Sequence, residues 1–404
     1  MHADQPVPVS VRTRRAVMPS ASPSAAALAA GRHRGARVEE VVYGQPFCEV
    51  VRQECEQQSL SRVGILGTRS LRDTLCADLA RALGARHAAT FAQVGEHSPL
   101  EAVLAALSAM RATNVDALVA VGGGSVIDAA KAVRHGLRHG AADAEALFVP
   151  RGAQAAARRV RLIAVPTTLS GAEFTAMAGL SRADGRKQRL ADEALGPQTI
   201  VLDPAAALQT PARLWASTGV RALDHAVETV CSDQCDVLSE AMALHALPLL
   251  AGGLQAAAAD ATDLHARLQG QIGMWFACTG PAAGVPMGVS HGIGHILGAE
   301  YGLPHGITSC VTMTAAITWN RPAVRERQRR IEERLAMLPG ATLMEQVDAL
   351  LARLALPRRL SEVGIGSDAF EAIAERSMTD FFIPTNPRPV RSAADIRDVL
   401  RLAA

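Results

Sequence analysis

A chain of 404 residues, 49% of them hydrophobic, is about two domains by length and carries enough apolar side chains for a sizeable core. Its 41 basic and 39 acidic residues nearly cancel to +2, and aromatics make up only 3%, so neither a phosphate-tracking surface nor a base-stacking platform is signalled and no nucleic-acid partner is expected. No apolar run reaches the ~18 to 20 residues that span a bilayer, so a soluble protein without a membrane partner is expected.

Residues 1–37 are rich in Ala, Ser, Pro and Arg, as in Met18-Pro19-Ser20-Ala21-Ser22-Pro23-Ser24, and read as a disordered tail that cannot bury a core. This Arg-rich, acid-poor composition suits an organellar transit peptide or simply an extended start. From Val41 the texture changes. Val63 to Gly67 reads as a strand and Leu71 to Leu83 as a helix; Ala117 to Val121 is a strand before a helix from Ser125, and Val160 to Val165 is a strand ending at Pro166. Buried strands alternating with helices predict a parallel sheet. After about residue 190 the strand signals stop and Ala/Leu-rich helical patterns run to the end, broken by turns such as Leu338-Pro339-Gly340. The predicted organisation is an α/β N-terminal dinucleotide-binding domain with a parallel sheet over 38–190, and an all-α C-terminal domain over 191–404. Seven scattered cysteines without a C-x-x-C pair fit reduced thiols and a cytoplasmic enzyme; Cys231 and Cys235, four apart on a helix, are assigned to packing.

Gly122, Gly123, Gly124 and Ser125 link a strand to a helix, where glycines let the backbone approach a pyrophosphate at the helix N-terminus. The spacing is neither G-x-G-x-x-G nor a P-loop. Asp128 and Lys131 follow on the first turns, each readable as a solvated helix charge. Thr167 and Thr168 sit at the C-terminal end of a strand, where open α/β sheets place ligands.

In the helical half, Arg221 and His225 are i, i+4 partners with Asp224 beside them, and so are His291 and His295, with His305 after a short Gly/Pro-rich turn. Several imidazoles and one guanidinium thus converge on one candidate catalytic pocket.

Taken together, Gly122-Gly123-Gly124-Ser125-Val126-Ile127-Asp128, Ala164-Val165-Pro166-Thr167-Thr168, Ala222-Leu223-Asp224-His225-Ala226-Val227-Glu228, His291-Gly292-Ile293-Gly294-His295, Leu303-Pro304-His305-Gly306 and Asn386-Pro387-Arg388-Pro389-Val390 resemble the iron-containing (group III) alcohol dehydrogenase family. Within it, Pro166-Thr167-Thr168-Leu169-Ser170-Gly171-Ala172-Glu173-Phe174-Thr175 resembles the maleylacetate reductase branch. The resemblance, over residues 40 to 402, implies a dehydroquinate synthase-like architecture, NADH or NADPH as cofactor, hydride transfer to or from a small carbonyl or alcohol, and possible homodimers. It also implies Fe²⁺ or Zn²⁺ held by one Asp and three His, with His225, His291 and His305 in the His positions and His295 near the substrate.

The Asp position holds Arg221, which donates hydrogen bonds only and cannot ligate a cation. A divalent ion beside it would meet repulsion of roughly 4 kcal/mol per charge at an effective dielectric near 20. The reading is therefore an NAD(P)H-dependent reductase of a maleylacetate-type oxo-acid without metal. Arg221 and a protonated histidine stabilise the developing alkoxide in place of the metal, or Arg221 clamps a substrate carboxylate, and His295 moves the proton. Gly67-Thr68-Arg69 lacks the acid that would hold an adenosine ribose, and Arg69 suits a 2′-phosphate. A metal-dependent alcohol or aldehyde dehydrogenase is the alternative, and a non-catalytic nucleotide-binding protein the alternative of another class.

Overall fold

Strands form where short, all-apolar runs can be buried on both faces, and helices form where the pattern turns amphipathic. The computed structural model describes His33 and residues 38–149, 159–184 and 186–404. The expected tail over 1–37 lies outside the described residues except for His33, whose ring contacts Asp236 at 3.1 Å.

In chain order, the α/β part comprises β1 (Glu40–Tyr43), α1 (Phe47–Gln57), β2 (Val63–Leu66), α2 (Ala77–Leu83), β3 (His87–Phe91), α3 (Leu100–Ala112), β4 (Ala117–Gly122), α4 (Gly124–His139), α5 (Ala144–Phe148), β5 (Arg161–Pro166), β6 (Met177–Ser181), β7 (Lys187–Ala191) and β8 (Thr199–Leu202). Then follow α6 (Pro204–Ala207), α7 (Ala212–Cys231), α8 (Val237–Ala259), α9 (Leu264–Ala277), α10 (Thr279–Ala283), α11 (Val289–Glu300), α12 (His305–Leu335), α13 (Leu343–Arg353), α14 (Phe370–Ser377) and α15 (Ala393–Leu402).

Six strands make one parallel sheet in the order β1-β8-β5-β4-β2-β3. The chain leaves β2 toward β3 on one side and leaves β4 toward β5 on the other. The turns after these two neighbouring strands therefore diverge, opening a crevice at their C-terminal ends, the place where such sheets take ligands.

Three expectations need correction. The sheet extends past the boundary drawn at 190: β8, a fully buried Thr-Ile-Val-Leu strand, pairs with both β1 and β5, and it was too short to register as a strand pattern. The helix expected over 71–83 is broken at Thr74 (φ −115°, ψ −106°), and α2 covers only its last part. Finally, α8 is long and apolar enough by composition to cross a membrane, contrary to the reading that no segment is; about 50% of its apolar window is buried, and it packs against α7 and α9 as a core helix.

Beyond the sheet, β6 and β7 form an antiparallel hairpin that periodicity did not reveal. In the helical part α7 packs against α8 and α12, burying one face that includes Val220, Leu223, Asp224, Val227 and Glu228. A separate apolar cluster of α11, α12, α14 and α15, including Ile293, Trp319, Ile373 and Ile396, holds α11 in place.

Candidate active site

On the sheet side, the glycine-rich turn is shaped first by its own neighbours. Gly122 has φ +152°, and a Cβ there would lie 2.8 Å from Val126 Cγ2; a Cβ on Gly123 would meet Thr168 Cγ2 at 3.0 Å and one on Gly124 would meet Ser170 Oγ at 2.8 Å. The glycines thus let the turn after β4 close onto the turn after β5. What remains for a ligand is the start of α4, which has no side-chain cap. Its first N–H groups and the positive end of the helix dipole are what an anion entering the crevice would meet.

The remaining residues expected to bind cofactor have traceable partners. Ser125 Oγ accepts from the His97 N–H at 3.0 Å, and Thr167 N–H donates to Gly122 O at 3.0 Å. Thr168 Oγ1 donates to Ser170 Oγ at 3.3 Å. Asp128 accepts from the Gly179 N–H at 3.0 Å, fastening β6 to α4. Lys131 is not a solvated helix charge: it is fully buried, and Nζ donates to Ala172 O and Met177 O at 2.6 Å each and to Thr175 Oγ1 at 3.1 Å.

On the helical side, α7 presents Arg221, Asp224, His225 and Glu228 at helical spacing toward α11 and α12. Glu228 accepts from the Gly288 N–H (2.9 Å), the Ser290 N–H (3.0 Å) and His291 Nδ1 (2.7 Å). Because a carboxylate accepts, the His291 proton sits on Nδ1 and Nε2 is a lone pair, buried without a hydrogen-bond partner. Asp224, wholly buried, accepts from Ser290 Oγ at 2.8 Å. Burial pushes Asp224 up to about 8 and Glu228 up to about 7, in each case against the pull of Arg221.

Arg221 Nη1 donates to Ser309 Oγ at 3.3 Å. Burial, with Arg221 close by, holds His225, His291 and His305 well below the usual histidine range. His225, His291 and His305 are therefore neutral, so none of them is the protonated histidine expected to assist Arg221, and the pocket sets neutral imidazoles around a guanidinium.

Residues that the sequence reading did not single out complete it. Lys187, at the start of β7, sets Nζ 3.1 Å from His305 Nε2. An ammonium only donates, so His305 accepts at Nε2 and carries its proton on Nδ1, which is buried without a hydrogen-bond partner. Burial of its head group, reinforced by Arg221, lowers the Lys187 pKa. Asp380 accepts from His295 Nδ1 at 2.8 Å, Phe381 and Phe382 flank the His295 ring at 5.7 and 5.5 Å, and His97 lies 6.2 Å from His305 between ring centres. Arg189, two residues along β7 from Lys187, lies 5.0 Å from the Phe381 ring centre. One signal could have exposed Lys187: among 41 basic residues the chain has only two lysines, Lys131 and Lys187.

Of the three histidines expected to hold a metal, His225 and His291 stack at 4.7 Å, whereas His305 lies by His295 and His97 at 6.4 and 6.2 Å. Among the described residues, the group of possible ligand atoms that converges within 4.8 Å in this pocket is Asp224, Glu228 and His291.

A parallel sheet with an open helix N-terminus at its switch point, joined to a helical half holding a cationic histidine pocket, is the organisation of a dehydrogenase-type oxidoreductase. Residues 39–204 match the family described as iron-containing alcohol dehydrogenase, and residues 215–404 match the C-terminal part of the Fe-containing alcohol dehydrogenase family. The chain belongs to that family. It is 34% identical over 205 residues to dehydrogenase FUM7 of Gibberella moniliformis, a match spanning 47% of this chain and only 48% of that protein. Identity to maleylacetate reductase of Pseudomonas sp. strain P51 is 27% over 364 residues, 90% of this chain and 95% of that protein. The crystal structure of maleylacetate reductase from Agrobacterium tumefaciens superposes with a TM-score of 0.81 at 25% identity, covering 93% of this chain and 98% of that one.

Proposed function

We propose that this oxidoreductase reduces the keto group of a carboxylate-bearing oxo-acid of the maleylacetate type, using NADH or NADPH and no metal ion. The observation that carries the reading is the Lys187 ammonium 3.1 Å from His305 Nε2 in the histidine recess that Arg221 also enters: two cationic side chains among neutral imidazoles. Carboxylates and a developing alkoxide are the ligands such a recess favours.

The uncapped start of α4 fits a pyrophosphate, and a bound nicotinamide would supply the hydride. The chain's own groups do the rest. Arg221 donates to oxygen atoms of the substrate. His295, its Nδ1–H held by Asp380, delivers a proton from Nε2 to the new alkoxide. Lys187 and Arg221 orient the carboxylates, so the carbonyl meets the cofactor face in one pose.

The family's divalent ion does not fit these residues. Arg221 stands in the ligand position implied for Asp, and Lys187 both occupies His305 Nε2 and fixes the proton on Nδ1, so neither nitrogen of that ring offers a lone pair. Asp224 and Glu228 are engaged by Ser290, Gly288 and His291. The competing reading, a metal-dependent alcohol or aldehyde dehydrogenase, draws on the partnerless lone pair of His291 Nε2.

NADH and NADPH oxidation with freshly generated maleylacetate, in the presence of EDTA, tests the proposal. Turnover that EDTA leaves intact is expected. Activity that appears only after adding Fe²⁺ or Zn²⁺ to the same preparation would establish the metal-dependent reading instead.

A further inference from the structure

Away from the active site, the far end of α4 carries His135 and His139, i, i+4 partners on one helix face with rings 4.4 Å apart between centres. Asp192, the residue after β7, joins them: one ligand atom from each of the three side chains lies within 4.8 Å of the others. We infer that His135, His139 and Asp192 form a transition-metal site of the Zn²⁺ class, with a fourth position for water, that clips the end of the β6–β7 hairpin to α4.

The donor set is the first argument. Two imidazoles and a carboxylate suit Zn²⁺, whose bonds of about 2.0–2.2 Å in tetrahedral geometry put donor atoms roughly 3.3–3.6 Å apart, so side-chain rotations that draw the three donors together complete the sphere.

Preorganisation is the second. Asp192 Oδ1 accepts from the Ala194 N–H at 2.7 Å, which orients the carboxylate. Arg134, on the same helix, donates to Ala194 O and to Gly196 O, pinning the loop after Asp192 onto α4. The ligands from helix and loop are thus held together before any ion arrives.

Electrostatics is the third. Arg134 and Arg138 are like charges that oppose a cation here. Against them stand the Asp192 carboxylate and the negative end of the 16-residue α4, whose last residue is His139. The consequence lies at the other end of β7, where Lys187 enters the active site, so an ion at Asp192 would restrain the strand that positions Lys187. The site itself stands whatever the substrate of the enzyme is.

The test is titration of the chelator-treated full chain with Co²⁺, followed by visible absorption and calorimetry, alongside Zn²⁺-dependent thermal unfolding. One saturable equivalent is expected in the wild type. H139A and D192N should weaken it by at least ~10-fold, while H291A and H305A leave it unchanged. Asn at 192 can still accept from Ala194, so D192N should unfold like the wild type without metal yet lose the Zn²⁺-induced rise in Tm. Absence of saturable binding, or binding that disappears in H291A or H305A but persists in H139A and D192N, would overturn the assignment.

Discussion

The Lys187 ammonium lies 3.1 Å from His305 Nε2, joining the β6–β7 hairpin to the first residue of α12. This contact sets the tautomer of His305, adds a cation to the recess of Arg221 and ties the sheet half to the helical half. Lys187→Met should raise KM for a dicarboxylate oxo-acid by ~10–100-fold, the worth of one charged hydrogen bond, and leave kinetics with a small uncharged aldehyde nearly unaltered. Equal losses on both substrates would show that Lys187 does not read carboxylates.

Arg221 is assigned the oxygen-stabilising role, so Arg221→Ala should lower kcat/KM by ~10²–10³-fold with the fold retained by circular dichroism. Arg221→Lys keeps a charge but loses the planar fork and should recover only part of it. Wild-type kinetics in the Ala variant would remove Arg221 from both of its proposed roles.

The His295–Asp380 pair provides a second handle. Asp380→Asn preserves shape but no longer demands a proton on His295 Nδ1, so turnover should fall by ~10²–10⁴-fold with little change in KM. A steady-state comparison of D380N and H295A checks this, since a shared role predicts losses that do not add.

Arg69, exposed just past the end of β2 at the sheet's switch point, is the residue we propose to read the 2′-phosphate of NADPH. Arg69→Glu should shift the ratio of kcat/KM for NADPH over NADH downward by at least ~10-fold, through lost attraction and added repulsion at the 2′-phosphate. An unchanged ratio would place the adenosine ribose elsewhere.

Glu173 is fully buried, and burial raises its pKa from 4.5 to about 7, with Lys131 drawing it back only in part. A folded-state pKa above the unfolded value means that the stability it contributes is fully present below pH 4.5 and is lost as pH rises through about 7. Over that window the wild type should lose roughly 3 kcal/mol relative to Glu173→Gln, which has no proton to release. Urea unfolding of both proteins at pH 5 and pH 8 measures the difference, and parallel pH profiles would contradict it. Asp224 and Glu228 act with the same sign in both proteins and cancel in the comparison.

Local patterns carried much of this protein in the sequence. The buried strands β2, β4 and β5 are continuous apolar runs, the turn Gly122–Ser125 lies between strand and helix, and His291, His295 and His305 sit in glycine-rich segments, so spacing marked a candidate site while the roles of its histidines came from the family resemblance. Tertiary structure decided the rest, because it rests on contacts between residues far apart in the chain. The strand β8 is four residues long and becomes recognisable only through its neighbours β1 and β5. Asp380 meets His295 across 85 positions and Lys187 meets His305 across 118, separations over which no periodicity carries information. Which cations and proton donors gather around His295 and His305 is therefore set by how the hairpin, α12 and the Asp380 segment pack together, while the histidines themselves were already visible in the motifs.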